Sequence, residues 1–373
     1  MNSRRTFLLG LSAVGVMGTV GVMTTTPISL LLNNKQHWLV SCGSDNQGNF
    51  FVAAIDLQGQ LVSKIALPAR GHDVIAIKSK PGHALVFARR PGRYVLEVDF
   101  TRGEVVSRIA VSEGQRFYGH GVLIQNDTVL LTTENNYEKG NGLIVLRDRA
   151  SQQIIEQYDS GGIGPHQLMI MPNSLEKQLV IANGGIQTHP EQHRKKLNID
   201  VMQPNLTYMS LADGQIDGKF ELENKQLSIR HLAVSSAGKV VAGLQYQGAA
   251  TDEVPLAISH HGEAQLSLLK ADNKTWRSMK HYTASVCINS QNNTVAITCP
   301  KANLLTYWRL DSDEFIASYK LKDGAGLTKV AGSFIASTGR GQLISQQSPL
   351  KPYQLKADFK ALRWDNHMAA MIS

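Results

Sequence analysis

The chain has 373 residues, 42% apolar and 18% charged, with 32 glycines and a net charge of +8. That balance supports a sizeable core and excludes a globally disordered chain. The basic residues are scattered, apart from the short run His193-Arg194-Lys195-Lys196, and no basic helix or aromatic–basic platform accompanies them. Nucleic acid is therefore excluded as the expected partner.

Residues 1–32 read as an address. Arg4 and Arg5 precede an apolar, glycine-rich run from Phe7 to Met23. "SRRTFLL" looks like a twin-arginine export signal, which carries paired arginines followed by an apolar residue. No A-x-A cleavage site follows, so an uncleaved anchor in the inner membrane stands beside a removed signal. Either way the expected location is the periplasm.

From residue 37 to 373 the pattern is that of one domain built from short strands. "HWLVSCGS", "NFFVAAIDL" and "LVSKIALP" open it. "HALVFARR", "RYVLEVDF" and "EVVSRIAV" follow His72, and "DTVLLTTE", "GLIVLRDR" and "QIIEQYD" follow His120. These are apolar runs of strand length between Gly, Asn, Asp and Ser turns. No amphipathic helix is expected outside the signal.

Five histidines mark a repeat. "GHDVIAI" (His72), "GHGVLI" (His120), "GPHQL" (His166), "RHLAV" (His231) and "NHMAAM" (His367) each set an imidazole where a turn becomes an apolar strand. The spacings are 48, 46, 65 and 136 residues. The third holds a polar excursion, and the last spans three units, two of which begin near residues 284 and 327 without a histidine. A period in the forties with four strands per unit is that of a β-propeller. The prediction is an all-β, seven-bladed propeller of the YVTN/WD40-like kind. Its C-terminal strand, "WDNHMAAMIS", completes the N-terminal blade and so leaves no free edge.

First strands of propeller blades line the central channel, so the five histidines are expected to converge there. Imidazoles in that number suit a transition metal such as iron, copper or zinc. Asp73, Glu134 and Asp365 are the carboxylates expected to orient the rings. Arg70, Arg116, Arg230 and Arg363 precede four of the histidines and favour an anion, such as a carboxylate-bearing ligand or haem propionates. The bland alternative is that each histidine only bonds the neighbouring blade and each arginine a nearby acid.

The excursion at 183–206, with Asn183, His189, Arg194 and Asn198, is long for a compact domain. It is expected either to cover the channel as a lid, with His189 or His193 as added ligands, or to ornament a blade edge. A smaller excursion at 246–263 carries His260 and His261. Of three cysteines, Cys287 and Cys299 either bridge across a hairpin or remain buried thiols.

The motifs "RFYGHG", "TTEN", "GIGPHQL", "IANGGIQTHPEQHRKKLN", "SIRHLA", "QYQG" and "WDNH" resemble the bacterial domain-of-unknown-function family numbered 1513, over nearly all of the chain after the signal. That resemblance implies a twin-arginine-exported periplasmic protein, encoded beside imelysin-type iron-regulated proteins and a dihaem-peroxidase-like thiol oxidoreductase. It therefore implies iron or metal handling with imelysin-like partners, and it carries over no catalytic residue. His193 stands where the family commonly has Gly, which weakens His193 as a ligand. The expected function is a periplasmic binding or accessory protein holding a metal, haem or anionic chelate at the hub. The alternatives are a non-catalytic interaction scaffold, or a metal-dependent enzyme of oxidoreductase or lactonase type. No Ser–His–Asp order, cysteine nucleophile or carboxylate pair supports the enzyme.

Overall fold

A computed structural model describes residues 37–373 except 173, 176, 193 and 194. The expected export signal with Arg4 and Arg5, and Arg194 and His193 of the excursion, lie outside the described residues. The chain separates into two units, Met1–Lys35 and Gln36–Ser373, and the second is the propeller. Among the described residues no helix is long and apolar enough to cross a membrane.

Seven antiparallel sheets form the blades. Blade 2 illustrates the plan, with strands Gly71–Ala76, His83–Ala88, Tyr94–Asp99 and Glu104–Ala110 running from hub to rim. The middle strands are buried on both faces and mostly apolar, as in "HALVFA" of blade 2, where every residue is buried. The outermost strands are mostly exposed and carry charges such as Lys64 and Arg108. Charged edges of this kind resist pairing with another sheet.

Inner strands of blades 3, 4 and 5 are Gln115–Ile124, Pro165–Ile170 and Leu227–Val234. Those of blades 6 and 7 are Val286–Asn289 and Gly324–Val330, at the two unit starts that lack a histidine. Blade 1 takes His37–Asp45, Phe50–Asp56 and Leu61–Ala66 from the beginning of the domain. Its inner strand comes from the C-terminus: Leu362–Trp364 and Ala369–Ile372 both pair with His37–Asp45. The ring is closed as the repeat arithmetic predicts.

One expectation is corrected, the absence of any helix, and one open alternative is decided, the state of the cysteines. A short helix, Asn273–Ser278, follows the outer strand of blade 5; Asp272 caps it by accepting from the Thr275 N–H. Its buried Trp276 stacks on Trp308 of blade 6 with ring centroids 4.9 Å apart. Six residues are too few to show a helical period in the sequence. The cysteines are free thiols. Cys287 lies opposite Ala296 and Cys299 opposite Leu304, so hairpin register keeps the two apart.

Candidate metal centre

The hub histidines sit on irregularities of the inner strands. In blade 2, Gly71 faces Ala88 and Val74 faces Val86, leaving one extra residue on the inner strand at His72-Asp73. A one-residue slip also brackets His166 between Pro165 and Gln167 and His231 between Ile229 and Leu232, and a two-residue slip brackets His120 between Phe117 and Gly121. His367 occupies the break between Trp364 and Ala369. A bulge bends the strand and re-aims a side chain, which here turns each imidazole into the channel. Blade 7 has the bulge at Ala325-Gly326 without a histidine, and blade 6 offers Ser285.

Second-strand hydroxyls pin the bulges. Ser41 donates to the His367 carbonyl at 2.6 Å and Thr133 to the His120 carbonyl at 3.2 Å. Gly119, with φ +111°, lets the chain pass close to its neighbour: a Cβ there would lie 2.8 Å from Cδ2 of His72. Only glycine accepts that backbone angle without strain.

The five rings form one buried cluster. Centroids of His166, His231 and His367 are linked by 4.5 Å steps, and His72 and His120 each lie 4.6 Å from His367. His231 Nε2 is 2.9 Å from His166 Nε2 and 3.0 Å from His367 Nε2. Ligand nitrogens about 2.1 Å from one ion stand roughly 3 to 3.4 Å apart, so these separations suit shared coordination. Hydrogen bonding alone serves the cluster poorly. His120 Nε2, His166 Nδ1 and His231 Nδ1 are buried with no hydrogen-bond partner among the described residues. Ligand atoms of His72, His120, His166 and His231 all fall within 4.8 Å of one another. The rings stand too close together for a porphyrin to pass between them.

Carboxylates orient two of the rings. His120 Nδ1 is 2.9 Å from Asp73 Oδ2, and His72 Nδ1 is 3.3 Å from Asp365 Oδ1. Each leaves Nε2 for the channel, the usual carboxylate–histidine arrangement around metals. Arg70 holds Asp365 at 2.5 Å. Burial alone would raise Asp365, yet the His72 hydrogen bond and the charges of Arg70 and Arg89 hold it well below the carboxylate range. Burial raises Asp73. Burial also lowers His72 to about 4 and His120 to about 3, and pushes His166, His231 and His367 well below the usual imidazole value. All five are thus neutral near pH 7, the state that binds metal.

Other predicted site residues lie elsewhere. Glu134 is fully buried inside blade 3, paired with Arg147 at 2.5 Å, so its charge is spent within the blade. Arg116 bonds the Gln115 carbonyl and lies 5.0 Å over the Tyr137 ring. Arg363 is exposed on the inner-strand segment Leu362–Trp364 of blade 1, paired with Ser44, and Arg230 is buried beside His231. Asn183 is a blade residue, bonded to Ser160 and Asn205. Asn198 ties the excursion down: it accepts from the Gln187 N–H at 2.7 Å and donates to the Gly185 carbonyl at 2.9 Å. His189 packs edge-on against Tyr137 and stays outside the cluster. His260 bonds the Tyr208 hydroxyl between blades 4 and 5, and His261 reaches the Ala237 carbonyl. Sequence reading missed Arg147, Ser41 and Thr133, which carry no motif and act only through register.

A family model described as "Protein of unknown function (DUF1513)" matches residues 65–371. No curated protein matches the chain. Among solved structures, the chain is similar to Kuenenia stuttgartiensis hydrazine synthase, with a TM-score of 0.62 and 12% identity. The alignment covers 83% of this chain and 95% of that one. At that identity the likeness bears on the propeller fold alone.

Proposed function

Taking as premise that the chain belongs to the DUF1513 family of proteins of unknown function, we propose that it is a periplasmic metal-binding propeller serving metal or iron handling. The observation that carries this reading is the convergence of five buried, neutral imidazoles, three of which keep a ring nitrogen without a hydrogen-bond partner among the described residues. An all-nitrogen donor set suits copper, zinc or ferrous iron. His72, His120, His166 and His231 would hold the ion, with His367 beside them and Asp73 and Asp365 fixing the rings. The ring spacing favours a bare ion over haem. The twin-arginine motif at Arg4-Arg5 supports export in the folded, loaded state. The family's gene neighbours support imelysin-like proteins as partners.

Elemental analysis of the protein recovered from the periplasm tests the reading. At least one equivalent of a transition metal is expected, lost in a His120→Ala/His166→Ala variant that keeps its β-sheet circular dichroism. A metal-free protein that also fails to take up Cu²⁺, Zn²⁺ or Fe²⁺ in vitro would leave the histidines as blade-to-blade bonders.

A further inference from the structure

The two ends of the channel differ. At the end where the inner strands begin, the excursion and its neighbours close the hub. The Tyr118 ring lies 6.2 Å from His166, and its hydroxyl accepts from Arg90 at 2.5 Å. Gly164 passes so close that a Cβ would sit 2.7 Å from that hydroxyl and 3.0 Å from the Ile186 carbonyl. The void left beside Tyr118, His189 and Pro190 is about 20 Å³, room for about one water and no larger ligand.

Toward the other end, a cavity of about 470 Å³ reaches His231, His367 and Asp73. Residues that follow the histidines along the inner strands wall it, including Val74, Val122, Leu232 and Met368, with Ser285 and Val286 from blade 6. Its size falls among small-molecule sites. Asp73 and Lys329 are the charged residues of that wall. Asp73 is already fixed by His120 and by the Val74 N–H at 2.9 Å.

A structural metal site is enclosed on all sides, whereas one with an accessible side takes an exogenous ligand. Resting on the metal reading above, we infer that the hub ion keeps an open position toward this cavity, where it binds a small neutral molecule through a nitrogen, oxygen or sulfur lone pair. The Asp73 carboxylate, fixed beside the histidines, opposes a bare anion next to the ion. Entry is from the face opposite the 183–206 excursion.

Cobalt(II) bound to the metal-depleted protein supplies the test, because its visible bands report both binding and coordination change. Titration with imidazole is expected to shift those bands saturably, with azide at least ten-fold weaker. Val122→Trp, or Val286→Phe if the first does not fold, should slow imidazole association at least ten-fold while the cobalt bands persist. Asn198→Ala, in the excursion, should leave the rate unchanged. Cobalt bands indifferent to imidazole, an association rate insensitive to the cavity variants, or azide binding as tightly as imidazole would each overturn the inference. Absence of cobalt bands in the unmodified chain would instead remove the metal reading, and this inference with it.

Discussion

Gly119→Ala separates the fold from the centre. The backbone angle of +111° is strained for alanine, at a cost of about 1–3 kcal/mol. The added Cβ would stand 2.8 Å from Cδ2 of His72, while ordinary contact begins at 3.4 Å. The ring must therefore retreat by several tenths of an ångström, beyond the roughly 0.2 Å that a metal bond tolerates. The expected loss of metal affinity is at least ten-fold, about 1.4 kcal/mol. Gly103→Ala is the control. Its φ is +72°, and the nearest atom to its Cβ is Ser63 Oγ at 3.8 Å, so it carries backbone strain without touching a histidine. Thermal melting and zinc titration calorimetry on both variants give the comparison. Equal zinc affinity in the two, with both folded, would refute a role for the His72 ring position in binding.

His231→Ala removes the ring whose Nε2 lies nearest those of His166 and His367. Zinc at a thousand times its Kd should stabilise the unmodified protein by about 4 kcal/mol, and calorimetric scanning should find that shift abolished in the variant. The metal-free protein should weaken on acidification. Burial lowers the folded-state values of His72 to about 4 and His120 to about 3, below the unfolded value near 6.5. The unfolded chain therefore binds more protons as pH falls from about 6.5 to 4, and stability drops by roughly 3 kcal/mol for His72 alone; urea melts across that range check this, and flat stability would contradict it. Glu134→Gln leaves Arg147 buried without its counter-charge, at a cost of about 3–5 kcal/mol, while metal stoichiometry in the folded fraction stays unchanged. Thiol titration after unfolding should find three thiols, one for each free cysteine; a count of one would establish a disulfide.

The repeat was legible because each blade spends a similar length of chain and begins with the same turn-to-strand junction. The histidine spacing therefore revealed the blade count, the closure and the convergence at the hub. What escaped depends on pairing across strands. Glu134 looks like a partner for a hub histidine in sequence, but strand alternation carries it into the blade interior, where Arg147 of the next strand reaches it. The bulges that aim the imidazoles arise from one or two unpaired residues, visible only against the register of the second strand. Asn183 belongs to the excursion by composition and to blade 4 by hydrogen bonding. Nor does any local pattern show that the hub is closed at the end where the histidines begin and hollow at the other.

Anomalous diffraction from crystals of the protein isolated from the periplasm, collected at the iron, copper and zinc edges, tests the central claim most directly. The account requires a peak within bonding distance, about 2.0–2.2 Å, of at least three of the five histidines. A hub without an anomalous peak, in crystals soaked with all three metals and with His166, His231 and His367 still bonded to one another, would contradict it.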